Sequence, residues 1–137
     1  MKSDIAAAWP AWLAGMPSVP PLLKPGPWTD DTDAKVAALA ARSFAGKGRE
    51  EIRGSGYSVA SLEAALWCFE THNDYASTVL AAANLGEDAD TTAAIAGQLA
   101  GAYYGIQQLP RDWLERLHMR DEIESMATAL LRAAERQ

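Results

Sequence analysis

Apolar side chains recur at helical spacing through most of this chain. Between Ala34 and Phe44 they fall at Val36, Leu39, Ala40 and Phe44, one side of a helical wheel, and Gly46-Lys47-Gly48 ends the segment. Val59, Leu62, Leu66 and Phe69 mark one side of a second helix, about Val59–Phe69. Thr71-His72-Asn73-Asp74 interrupts it, and Asn73 or Asp74 is placed to cap a helix over Tyr75–Ala83. Gly86 closes that helix and opens the acidic turn Asn84–Thr92. The most apolar helix follows, with Gln98 its one strongly polar residue between Ala93 and Ile106, a pattern that predicts a helix wrapped on most sides. Asp90 reads as its N-cap. Gly97, Gly101 and Gly105 recur every four residues on one face, permitting a neighbouring helix or loop to approach closely. Leu109-Pro110 starts a short helix with Trp113, Leu114 and Leu117 on its apolar side. A last helix, about Asp121–Ala134, repeats Ile123, Met126, Leu130 and Ala134. No stretch alternates with period two over strand length. The fold class is therefore all-α, a helical domain of about five or six helices.

The first 28 residues break this pattern. They hold six of the seven prolines, Pro10, Pro17, Pro20, Pro21, Pro25 and Pro27, together with Trp9, Trp12 and Trp28. Ile5–Trp9 suits a short helical turn, and beyond Pro17 a regular helix or a central strand is excluded by the missing donors and fixed φ of proline. We divide the chain into an irregular Pro/Trp-rich segment, 1–28, and a helical domain, 29–137, in which the tryptophans either anchor the segment on the core or cover an apolar patch.

Composition narrows the function. The 137 residues suit one core, and the net charge of −6 with no run of Lys or Arg argues against a nucleic-acid groove. The single cysteine, Cys68, rules out an internal disulfide and lies in an apolar pattern that suits a buried, inert thiol. Pro10 interrupts the N-terminal apolar stretch, unlike a signal peptide, and the run around Ala93–Ile106 is too short for a membrane span. A cytoplasmic protein without membrane association is the expectation. His72 and His118 share no motif, and each reads as a solvated side chain; no zinc spacing, phosphate loop or nucleophile elbow is present.

The chemistry concentrates in Asn84-Leu85-Gly86-Glu87-Asp88-Ala89-Asp90-Thr91-Thr92. Carboxylates and hydroxyls at the mouth of an apolar helix are costly unless compensated. Asp88, Asp90 and Thr91 are close enough in sequence to aim three oxygens at one centre, and Mg²⁺ takes oxygen ligands almost exclusively. An ordinary capping sequence would look the same, and on spacing alone it is the commoner explanation. A second acidic turn, Thr29-Asp30-Asp31-Thr32-Asp33, precedes the first helix. In Gly54-Ser55-Gly56-Tyr57 the two glycines permit close approach to a ligand.

Taken in order, Gly54-Ser55-Gly56-Tyr57-Ser58-Val59, Ser61-Leu62-Glu63-Ala64-Ala65-Leu66-Trp67, the acidic turn through Thr92, and Gly97-Gln98-Leu99-Ala100-Gly101-Ala102-Tyr103-Tyr104-Gly105 resemble the C-terminal portion of the ADP-ribosylglycohydrolase family, over about residues 33–124. That resemblance implies an all-α fold with a pair of Mg²⁺ ions in the substrate cleft. It implies metal ligation by Asp88, Asp90 and Thr91, a carboxylate near the ions, Asp88 or Asp90, as catalytic base, and an ADP-ribose site lined by Gly54, Ser55, Gly56 and Tyr57. The reaction implied is hydrolysis of the bond joining ADP-ribose to a protein side chain or small molecule. Family members are longer, and their N-terminal half supplies a Gly-Asp and a Thr-Asp-Asp-Thr motif to the other side of the metal pair. Thr29-Asp30-Asp31-Thr32 spells the second of these but lies close before Gly54, so a local lookalike is weighed above a relocated half-site. Three protein oxygens fall short of the six that Mg²⁺ requires. The expectations therefore range from an Mg²⁺-dependent hydrolase, complete in itself or completed by self-association or a second chain, through a non-catalytic remnant that binds ADP-ribose or a partner, to a purely structural helical fragment.

Overall fold

In the computed structural model, residues 30–135 are described, with side chains from residue 34 onward; the segment 1–28, its tryptophans and Thr29 lie outside them. Among the described residues there are six α-helices and no strand: α1 Asp30–Ala40, α2 Ser58–Thr71, α3 Tyr75–Ala83, α4 Ala89–Tyr104, α5 Arg111–Arg116 and α6 Arg120–Ala134. Single 3₁₀ turns lie at Arg49–Glu51 and Ile106–Gln108. Among the described residues no helix is long and apolar enough to cross a membrane.

The helices begin and end for local reasons. Asp74 caps α3, its carboxylate accepting the Ser77 amide at 2.8 Å and the Ser77 hydroxyl at 2.6 Å, which holds its pKa below 3.8. The Arg49 guanidinium donates to the Asn84 and Leu85 carbonyls at the other end of α3, where a cation offsets the helix dipole. Gly86 (φ +82°) then turns the chain towards α4. Gly105 (φ +74°) ends α4, where its amide donates to the Gly101 carbonyl.

Two boundaries differ from the sequence expectation. The first helix covers Asp30–Ala40 rather than Ala34–Phe44, so Asp30 to Asp33 form its first turn instead of a separate acidic turn. Acidic residues suit that position because the helix N-terminus carries partial positive charge. Helix α4 starts at Ala89, with Asp88 and not Asp90 at the N-cap.

The core is built from small side chains where α2, α3 and α4 meet. Ala65 and Cys68 of α2, Ala82 of α3 and Ala96 of α4 are fully buried. Trp67, Leu85, Ile95 and Leu99 close over them. In α2 the deepest stripe is Ser61, Ala64, Ala65 and Cys68, whereas Val59, Leu62, Leu66 and Phe69, the expected buried side, are only half-buried. Small residues let helix axes approach, and the larger ones then pack around the contact. The same logic explains Gly97 and Gly101, where a methyl group would sit 3.5 Å from the Tyr75 hydroxyl and 3.7 Å from the Tyr75 ring of α3, respectively. Helix α4 buries only Thr92, Ala96 and Ala100, and Ala94, Gln98 and Ala102 face solvent, so it is not wrapped on most sides. Burial pushes the Cys68 thiol up to about 11, as expected of an inert thiol, with Arg49 a weaker opposing influence.

His72 is half-buried rather than solvated. Its Nδ1 lies 3.0 Å from the Cys68 carbonyl, its ring meets Trp67 edge-on, and its own carbonyl accepts from the Tyr104 hydroxyl. His118 is exposed, as expected. Helix α6 forms as the periodicity requires, yet its apolar face stands open: Met126, Leu130 and Leu131 are 59%, 72% and 62% exposed.

These packing differences set opposite tolerances. Ala96→Leu should cost about 1–3 kcal/mol by overpacking, whereas Leu130→Gln should stay within about 0.5 kcal/mol. Urea denaturation of the two variants checks the ranking, and equal losses would contradict the described core.

Candidate active site: the acidic turn and the Gly-Tyr segment

The acidic turn is rigid because its backbone is held at both ends. Gly86 and Glu87 (φ +56°) bring the chain round, and Asp88 opens α4 with its carbonyl accepting from both the amide (3.1 Å) and the hydroxyl (3.0 Å) of Thr92. Thr92 is fully buried, so this hydroxyl bond is shielded from water. The Asp88 side chain caps no amide of its own helix. Asp90 and the exposed Thr91 follow it on the first turn of α4. The Asp90 carboxyl is held below 3.8 chiefly by the Thr91 amide, then by Asp88 and by its own amide.

The Gly-Tyr segment docks directly onto this turn. The Asp88 amide donates to the Gly54 carbonyl at 2.7 Å. Gly54 is buried, and a Cβ there would meet the Thr92 hydroxyl at 2.9 Å and the Gly86 carbonyl at 3.4 Å. A Cβ on Gly56 would lie 3.7 Å from Asp88 Oδ2. The glycines expected to admit a ligand thus first admit the acidic turn itself. Arg53 pairs with Glu87 at 3.2 Å across the same junction. Tyr57 ends the segment, 43% exposed, with Lys35 Nζ of α1 5.4 Å from its ring centroid.

All seven residues nominated from the sequence, Gly54, Ser55, Gly56, Tyr57, Asp88, Asp90 and Thr91, therefore come from two segments in mutual contact. Three supporting residues were missed. Ile52, 1% exposed, anchors the approach to Gly54, and its signal was a lone apolar residue in a charged run. Ser61 and Thr92 are the buried hydroxyls beneath the segment and the turn, and neither has a periodic signature that separates it from a surface residue. A surface groove of about 490 Å³ on α6, lined by Asp121, Glu124, Ser125, Thr128, Ala129 and Arg132, shares none of these residues.

The donor set is chemically suited to a hard cation. Two neighbouring carboxylates repel when both are ionised, and an ion between them removes that cost. Among the described residues no His, Cys, Asp or Glu joins Asp88 and Asp90 to make a group of three. What is present fits part of one oxygen shell.

A model of the family described as ADP-ribosylglycohydrolase matches residues 1–137. The chain belongs to the ADP-ribosylglycohydrolase family. Its relatives include the ADP-ribosylarginine hydrolase Tri1 of Serratia proteamaculans (strain 568), 42% identical over 96 residues that make up 70% of this chain and 26% of the relative. The ADP-ribosyl-[dinitrogen reductase] glycohydrolase of Rhodospirillum rubrum is 39% identical over 58% of this chain and 28% of its own. Human ADP-ribosylhydrolase ARH3 is 32% identical over 61% and 27%. The chain spans about a quarter of the length of the curated relatives it matches.

Two outcomes check this geometry. Gly54→Ala should cost about 1–3 kcal/mol through its contact with Thr92, and less in a Thr92→Ala background; equal cost in both would remove that contact as the constraint. Carbon-detected NMR titration should place Asp90 below 3.8. Because its folded value is the depressed one, the stability Asp90 contributes is complete above the unfolded value and fades as pH falls through the folded value.

Proposed function

We propose that this chain forms the acidic-turn and Gly-Tyr wall of an Mg²⁺-dependent site that hydrolyses the bond between ADP-ribose and a protein side chain or small molecule. The observation that carries the reading is the docking of Gly54 on Asp88, because it brings a candidate nucleotide-binding segment and a candidate cation-binding turn onto one surface. Family membership and the names of the relatives supply the substrate class. Asp88, Asp90 and Thr91 would hold the cation, which when bound supplies charge to orient ribose hydroxyls and acidify water. Tyr57, with Lys35 Nζ 5.4 Å from its ring centroid, is the candidate to flank the nucleotide. A carboxylate oxygen of Asp88 or Asp90 left outside the shell accepts the proton of the attacking water.

The rest of the shell has two possible sources. Asp30 and Asp31 open α1, and Lys35, about 7 Å further along that helix, lies over Tyr57, which makes Asp30 and Asp31 candidates for the remaining carboxylates. The alternative is a second copy or a second chain, for which the open apolar face of α6 speaks. Titration calorimetry of Asp30→Asn/Asp31→Asn separates them: a large loss of Mg²⁺ affinity assigns these aspartates to the shell, and unchanged affinity assigns the missing ligands to another chain.

The deciding assay is release of ADP-ribose from a modified arginine or serine substrate, with and without chelator. Release that stops with chelator and in Asp90→Ala is the expected result, and release indifferent to chelator would end the metal assignment. Mg²⁺ and ADP-ribose should also raise Tm, each by about 2.7 kcal/mol of stabilisation at a hundredfold excess over Kd. A raised Tm without release would leave a binding module.

A further inference from the structure

The Gly-Tyr segment has no regular secondary structure of its own, so its shape depends on what its carbonyls meet. The Gly54 carbonyl is taken by the Asp88 amide. The next carbonyl, Ser55, is taken from the other side by the Ser61 hydroxyl, which also lies 3.4 Å from the Tyr57 carbonyl. Ser61 sits on the first turns of α2 and is 1% exposed, so its proton has no water to compete for it. A serine inside a helix ordinarily bonds back to the carbonyl four residues earlier, which here is Tyr57. Ser61 keeps that contact at 3.4 Å but makes its shorter bond past it, to the Ser55 carbonyl outside the helix. Consecutive carbonyls are thus pinned to two different elements, Gly54 to the head of α4 and Ser55 to α2, and Gly56 and Tyr57 project from that fixed pair.

We infer that Ser61 is a positioning residue for the nucleotide: its buried hydroxyl sets the Gly54–Tyr57 segment in the geometry that receives ADP-ribose, without touching the ligand or the cation. The inference rests on the reading of this surface as an ADP-ribose site. It separates Ser61 from Thr92, whose hydroxyl performs the equivalent task for the acidic turn through the Asp88 carbonyl. The two buried hydroxyls therefore divide the work, one fixing the nucleotide segment and the other the cation turn.

The test uses the full chain with Mg²⁺ and compares wild type, Ser61→Ala, Ser61→Thr and Thr92→Val. ADP-ribose and Mg²⁺ affinities are measured by calorimetry, and amide hydrogen exchange at Gly56 and Tyr57 is followed without ligand. Ser61→Ala should weaken ADP-ribose binding about tenfold, the loss of roughly one hydrogen bond's worth of positioning. It should also speed exchange at Gly56 and Tyr57 and leave Mg²⁺ affinity within about twofold, and Ser61→Thr, which keeps the hydroxyl, should restore both the ADP-ribose affinity and the slow exchange. Thr92→Val should show the reverse split, with Mg²⁺ affinity the more affected. Should Ser61→Ala fail to fold, Ser61→Cys keeps the volume with a far weaker donor and carries the same comparison. Unchanged ADP-ribose affinity in a folded Ser61→Ala, or unchanged exchange at Gly56 and Tyr57, overturns the role of Ser61 alone. Absence of ADP-ribose binding by wild type overturns the underlying site reading together with it.

Discussion

The contact on which everything else depends is the bond from the Asp88 amide to the Gly54 carbonyl. The first backbone amides of a helix have no partner within the helix, and Asp88 stands at that end of α4 with its amide turned outward. Supplying that amide with a carbonyl from a distant segment satisfies a donor and fixes a second piece of chain at once. It works only because residue 54 has no side chain, since a methyl group there would collide with the Thr92 hydroxyl. The absence of a Cβ at Gly54 is therefore what lets the two candidate binding segments share a surface.

The helices beneath are close for a related reason. The alanines and cysteine where α2, α3 and α4 meet contribute little apolar area per residue, so that contact is stabilised by close approach and good packing. Such a contact is intolerant of added volume and holds α4 in a defined place against α2 and α3. The acidic turn and the Gly-Tyr segment, carried on α4 and at the start of α2, inherit that definition. Helix α6 shows the opposite condition. Its large apolar residues Met126, Leu130 and Leu131 remain open to solvent.

Helix existence was legible in the sequence because it rests on local periodicity and on caps such as Asp74, whose role is set by the three residues after it. The candidate residues were legible from the family resemblance, and the structure brings them together. Three features were not legible. Asp88 and Asp90 are equally good capping residues, and only the bond to Gly54 decides which one stands outside the helix. Val59, Leu62, Leu66 and Phe69 outrank Ser61, Ala64, Ala65 and Cys68 in hydrophobicity, yet the small set is buried deepest because depth here is governed by helix approach. The partnership of Gly54 with Thr92 joins segments far apart in the chain, and no local pattern encodes such a contact.

The same geometry limits what the site can do unaided. Two carboxylates side by side hold one hard cation weakly unless further oxygens complete its shell, and a pair of cations at close range repel each other strongly without more negative charge between them. On the proposed reading the surface would supply only part of a cation's oxygen shell and leave the rest to other groups. On that reading the substrate's own ribose hydroxyls would serve as ligands, and affinities for nucleotide and cation would rise together. Rigidity on the protein side then matters more than the number of ligands: a turn held by Thr92 and a segment held by Ser61 present their oxygens without reorganising, and the ordering cost falls on the substrate and water alone.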